Sequence, residues 1–203
     1  MQGYFVTGTD TGVGKTVVAA WLVDKLAGAY WKPVQSGAAP GEAGDVEEVC
    51  RLSGLAPARC HAPVYRLALP RSPHEAAYRE GVRIELSRLT LPEEQRCLIV
   101  EGAGGVLVPL NERQSMVDLM RQLALPVIVV ARTQLGTINH TLLTLHCLRH
   151  FGLTVVGIIL NGYPDPENRQ AIAHYGQVNI LAELPWLEPF SWPTLQRIPL
   201  HLS

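Results

Sequence analysis

Several features that would point away from small-molecule chemistry are missing from this chain of 203 residues. An excess of charge is one: Lys and Arg number 17 against 18 Asp and Glu, a formal net charge of −1, so neither an extended nucleic-acid surface nor attraction to anionic lipid is expected. The first residues carry no basic region leading into an apolar one, and no apolar run approaches the ~20 residues needed to cross a bilayer. A cytoplasmic location with small-molecule partners is the expectation. Cysteines are few, and Cys50, Cys60, Cys97 and Cys147 form no C-x-x-C pair. That spacing argues against a zinc site, offers no disulfide framework, and leaves buried or idle thiols as the expectation. There is no internal repeat and no compositional break to mark a linker. With 47% hydrophobic residues the chain is read as one domain spanning residues 1–203.

What is present is an alternation of apolar runs and helical patterns. Strands are expected at Tyr4–Thr7, Leu98–Glu101, Val127–Ala131 and Val155–Asn161, with shorter ones near Tyr30–Val34 and Asn179–Ala182. Helices are expected at Thr16–Leu26, Asp45–Leu52, Met116–Leu123, Ile138–Phe151 and Pro166–Tyr175. Strands apolar at consecutive positions belong where helices cover both faces of a sheet, so the fold class is α/β, a doubly wound and mostly parallel sheet.

The run Gly8-Thr9-Asp10-Thr11-Gly12-Val13-Gly14-Lys15-Thr16 directly follows the first strand. It reads as strand, phosphate-binding loop and helix, in which backbone N–H groups and the helix dipole receive phosphate, Lys15 reaches the β and γ phosphates, and Thr16 ligates Mg²⁺. The first glycine stands one residue earlier than in G-x-x-x-x-G-K-[ST], so the fold is of P-loop NTPase type with its own register.

Ligands in such a sheet sit beyond the carboxyl ends of the strands. Glu101 closes a strand and precedes Gly102-Ala103-Gly104-Gly105; it is read as a Mg²⁺ ligand or a water-holding group, or else as a cap before an ordinary turn. Lys32, in Lys32-Pro33-Val34-Gln35-Ser36-Gly37, is either a site cation or a solvated surface lysine. Asp45 opens a helix after the small-residue loop Ser36–Gly44, where an N-cap role is equally natural. Asn161 either reads a base edge or closes a turn with Gly162 and Pro164, and Asn139, at the start of a helical pattern, has a helix-cap reading. His74 is expected near a helix start.

These stretches, with Ser72-Pro73-His74, Leu135-Gly136-Thr137-Ile138-Asn139-His140-Thr141 and Pro185-Trp186-Leu187, resemble the dethiobiotin synthetase family, in the family's order over nearly the whole chain. The resemblance implies an ATP-dependent ligase: 7,8-diaminononanoate captures CO₂ (or bicarbonate) as a carbamate, ATP phosphorylates it, and the neighbouring amine closes a cyclic urea. It implies that Lys15 holds the phosphates, that Lys32 bridges carbamate and γ-phosphate, and that Thr11 and Ser36 hydrogen-bond the carbamate or its amine. Mg²⁺ is implied at Thr16, Asp45 and Glu101, and ATP contacts at Gly12, Val13, Gly14, Val17, Gly102, Ala103 and Gly104. Asn161, Pro185, Trp186 and Leu187 are implied to frame the adenine. A homodimer is also implied, with the substrate carboxylate held by Gly136, Thr137, Ile138 and Asn139 of the partner. One departure is the short tail after Leu187, which leaves ribose contacts open apart from Glu188. Three rival classes fit less well. A partitioning ATPase would carry a lysine where Asp10 stands, a GTPase metallochaperone would carry Asn-Lys-x-Asp, and a cobyrinate-type synthetase would need room for a glutaminase domain.

Overall fold

A computed structural model describes residues 3–202. Strand β1 (Gly3–Gly8) leads through the glycine-rich loop into α1 (Lys15–Lys25), and β2 (Ala29–Trp31), β3 (Val34–Ser36) and α2 (Asp45–Ser53) follow. Next come β4 (Cys60–His61), β5 (Tyr65–Leu67) and α3 (Pro73–Arg79). The second half alternates regularly: β6 (Leu98–Gly105), α4 (Met116–Leu123), β7 (Val127–Arg132), α5 (Thr137–His150), β8 (Val155–Asn161), α6 (Pro166–Gly176), β9 (Ile180–Leu184) and α7 (Trp192–Arg197).

Seven strands form one parallel sheet in the order β4-β2-β6-β1-β7-β8-β9. The chain leaves β1 toward one edge and returns through β6. It then crosses β1 and builds toward the other edge, so the crevice of a doubly wound sheet opens above the end of β1. Successive residues of the central strands feed opposite helix layers. Phe5, Leu98, Val100, Val127 and Val129 pack in one core with residues of α3, α4 and α5. Val6, Ile99, Ile128 and Val130 pack in the other with α1, α2 and α7. This accounts for strands that are apolar without alternation.

Two expectations are corrected, and two cap readings left open by the sequence, at Asp45 and Asn139, fall. The strand expected over Tyr30–Val34 is two strands in two sheets, because Pro33 offers no N–H to continue the ladder; β3 instead pairs with β5 in a separate parallel ribbon. Cys50 and Cys60, expected as idle thiols, are joined by a disulfide with Cα atoms 6.8 Å apart. The cause is a helix–strand packing of α2 on β4, a strand too short to read from sequence; Cys97 and Cys147 are free. Asp45 is not an N-cap: Gly44 holds that position, with its N–H bonded to the Glu47 carboxylate at 2.7 Å. Nor does Asn139 cap α5, which begins at Thr137 after Gly136 in a left-handed conformation at φ 93°. The short tail packs back over α1: Trp21 Nε1 donates to the Leu195 carbonyl at 2.9 Å.

Candidate active site

The loop after β1 bends around two glycines with positive φ, Gly12 at 74° and Gly14 at 90°. Gly14 admits no side chain: a Cβ there would collide with the Asn161 amide, which donates to the Val13 carbonyl at 3.0 Å. Asn161 therefore braces the loop from the end of β8, and Trp186 N–H to the Gly162 carbonyl at 3.3 Å brings Pro185, Trp186 and Leu187 beside it. Lys15, the first residue of α1, is 7% exposed, and its ammonium donates to the Asp10 carbonyl at 2.9 Å. Burial lowers its pKa to about 8; Glu101 and Asp45 oppose that shift and Lys32 adds to it.

Glu101 was expected at a strand end, but β6 runs on to Gly105, so the carboxylate sits mid-strand and buried at 1% exposure. It is no turn cap. Lys32 Nζ donates to its Oε1 at 2.9 Å, Thr16 Oγ1 reaches the same oxygen at 3.1 Å, and the Tyr30 hydroxyl donates to Oε2 at 2.7 Å. Lys32 is equally far from a surface lysine. Its ammonium joins Glu101 and Asp45, and although burial pulls its pKa down, the two carboxylates outweigh that and raise it. A cation so paired stays charged.

Lys15, Thr16, Lys32, Asp45 and Glu101 face one cleft of about 720 Å³, together with Thr11, Gly12, Gly14, Ser36, Ala103 and Gly104. Its far wall is Pro70-Arg71-Ser72-Pro73, the entry to α3, where Ser72 Oγ lies 3.1 Å from His74 Nδ1. The Ser36 hydroxyl is buried against this cleft without a hydrogen-bond partner, a polar atom suited to a ligand. Val13 and Gly102 pack behind the lining; a Cβ on Gly102 would press on the Phe5 ring at 2.9 Å. Val17 is half-buried on α1.

Two site residues escaped the sequence reading. Gln35 accepts the Asp45 N–H through Oε1 at 3.0 Å and donates to the Ser36 carbonyl at 2.8 Å, tying the helix that carries Asp45 to the strand that carries Ser36. Tyr30 looked like one more apolar strand residue. Gly136, Thr137, Ile138 and Asn139 stand outside the cleft, and the Thr137 hydroxyl is turned inward onto the Arg132 carbonyl, so only this segment's backbone and the exposed Asn139 face outward. Glu188 accepts from Trp186 Nε1 at 2.8 Å.

Among the described residues no group of three or more His, Cys, Asp or Glu is placed to hold a metal. Thr16, Asp45 and Glu101 supply hard oxygen donors around Lys32 instead, which suits a Mg²⁺ that takes its other ligands from water and phosphate and is a poor match for a metal needing a full protein cage. The group fits.

A family model described as "AAA domain" matches residues 2–194. The ATP-dependent dethiobiotin synthetase BioD of Paramagnetospirillum magneticum is 51% identical over 98% of this chain and 95% of its own length. The chain belongs to the dethiobiotin synthetase family. That of Nitrobacter hamburgensis is 47% identical over 94% of this chain and 89% of its own. The chain is thus an ATP-dependent ligase that forms dethiobiotin. A ParA family ATPase from Chlorobium tepidum shares the fold at a TM-score of 0.58 and 15% identity, covering 93% of this chain and 85% of that one. At that identity the likeness speaks for the P-loop NTPase fold alone.

Proposed function

We propose that this dethiobiotin synthetase carboxylates 7,8-diaminononanoate with CO₂ and closes the ring at the expense of one ATP, with Mg²⁺, in the cytoplasm, the whole chain acting as one catalytic unit. The observation that carries this reading is Lys32. A buried ammonium held between two carboxylates, beside Lys15 and the unpartnered Ser36 hydroxyl, suits a reaction in which a carbamate must approach a triphosphate. Two anions repel unless cations are placed in advance, and a buried charge already fixed in place needs little reorganisation as the phosphoryl group moves.

In the proposed sequence one amine nitrogen attacks CO₂ and loses a proton, giving the carbamate, which Thr11 and Ser36 orient by hydrogen bonds. A carbamate oxygen attacks the γ-phosphorus and the bond to ADP breaks, leaving a carbamic–phosphoric mixed anhydride. Lys15 holds the β and γ phosphates, Lys32 spans carbamate and γ-phosphate, and the loop N–H groups of Gly12 to Thr16 with Ala103 and Gly104 line the phosphate side, backed by Gly102. The second amine then attacks the carbonyl carbon and phosphate leaves. Mg²⁺, when bound through Thr16, Asp45 and Glu101, would neutralise charge on the β and γ oxygens. Asn161 and Pro185 to Leu187 frame the adenine in this reading, with Asn161 keeping its amide oxygen for the base since its nitrogen is engaged by Val13.

The substrate's carboxylate is assigned to Gly136–Asn139 of a second copy. Support comes from the exposure of Leu107 and Leu143, which line a groove of about 500 Å³ between the Thr9–Thr11 loop and α5, and of Leu135 just before that helix, a surface suited to burial in a homodimer. The backbone N–H groups that open α5 suit an anion.

The test is incubation of the purified protein with the diamine, bicarbonate, Mg²⁺ and ATP, following ADP release and product mass. One cyclic urea per ADP supports the reading. ATP hydrolysis indifferent to the diamine would overturn it and favour a switch ATPase, which the Asp10 position speaks against.

A further inference from the structure

Tyr30 stands two residues before Lys32, on the strand that neighbours β6, and is completely buried. Among the described residues its hydroxyl bonds to Glu101 alone, on Oε2 at 2.7 Å, while Lys32 and Thr16 both engage Oε1. The two oxygens are thus divided: one is tied into the core and the other is turned to the cleft. This division matters because the terminal torsion of a glutamate is soft and broad. A carboxylate held only from the Oε1 side would be free to rotate about that bond.

We infer that Tyr30 is a positioning residue, which locks the plane of Glu101 so that Oε1 faces the cleft and thereby sets the affinity of the site for its divalent cation. The inference rests on the proposed role of Glu101 toward that cation. Tyr30 touches no reacting atom; it acts through Glu101.

The experiment uses the full-length protein with ADP and Mn²⁺ as the probe, reading bound against free Mn²⁺ by electron paramagnetic resonance, with ligation measured in parallel against Mg²⁺ concentration. Tyr30→Phe keeps the ring and removes only the donor. The expected result is a loss of Mn²⁺ affinity of about tenfold, as for other groups that orient metal ligands. A matching rise in the Mg²⁺ concentration for half-maximal rate is expected, with the rate at saturating Mg²⁺ reduced much less. Unchanged Mn²⁺ affinity and an unchanged Mg²⁺ dependence in a folded Tyr30→Phe overturn the inference and leave the hydroxyl a packing detail. Glu101→Gln in the same titration separates the two levels: if it leaves Mn²⁺ affinity intact, the role given to Glu101 falls. If it lowers affinity while Tyr30→Phe does not, only Tyr30 falls. Should Tyr30→Phe fail to fold, the double variant with Glu101→Gln removes the carboxylate left without its donor. It should then bind Mn²⁺ as Glu101→Gln does, and a further loss overturns positioning through Glu101.

Discussion

Raising the pH should weaken nucleotide binding through Lys15. Burial holds this ammonium at about 8 rather than its usual 10.5. The sign follows from which form phosphate prefers. In the free protein a lowered pKa means that Lys15 becomes neutral as pH rises through 8, whereas a bound polyphosphate favours the charged form and draws the pKa back up. Affinity is therefore full below about pH 7 and lost above 8. With a pKa near 8, the charged fraction falls from about three-quarters at pH 7.5 to about one-tenth at pH 9. That is a loss of roughly 8-fold in affinity, or ~1.2 kcal/mol. The assay is calorimetric titration of ADP without Mg²⁺ over this interval, where the nucleotide phosphates are themselves already ionised. Repeating it at pH 8 in two buffers of different ionisation enthalpy should reveal uptake of about half a proton per ADP. Lys15→Arg, whose guanidinium does not titrate, should flatten the profile. Affinity constant from pH 7.5 to 9, with no proton uptake, would refute the assignment of Lys15 as the phosphate-binding cation held down by burial.

Lys32→Met should abolish ligation and destabilise the fold by roughly 3–5 kcal/mol, because Glu101 and Asp45 lose the cation between them. Thermal melts check the second part, and ADP affinity reduced less than in Lys15→Ala would keep the two lysines in distinct roles. Equal loss of ADP affinity in both would contradict them. Gly14→Ala places a methyl against the Asn161 amide at a φ of 90°, so ADP binding should fall by at least an order of magnitude. Combining it with Asn161→Ala should restore little, since the backbone penalty remains and the Asn161 brace on the Val13 carbonyl is lost as well. Full recovery in that pair, measured by the same titration, would show that the clash alone was at fault.

The parts of this site that could be read from sequence are those that are contiguous in it. Gly12 to Thr16 carry their own geometry, since loop, helix start and lysine lie within one turn of each other, and β1, β7 and β8 announced themselves as unbroken apolar runs flanked by helical patterns. Lys32, Asp45 and Glu101 were visible only as candidates, each with a mundane alternative, because what makes them a cluster is adjacency across the sheet. The register of β2 on β6 pairs Tyr30 with Ile99 and Trp31 with Val100, so the next step along both strands sets Lys32 beside Glu101. Pro33, by ending β2 at that step, frees the chain to turn into the ribbon that carries Ser36 toward the same cleft. A proline that reads locally as a strand breaker thus decides globally which side chains share the site. The same dependence on long-range pairing hid Tyr30, whose partner lies 71 residues away, and the Cys50–Cys60 bond, which needs α2 packed on a two-residue strand. Two lysines and two carboxylates are brought together by four separate elements, so an incoming polyphosphate adds negative charge that this cluster alone leaves unbalanced. The divalent cation proposed at Glu101 follows from that deficit as much as from the donor set around it.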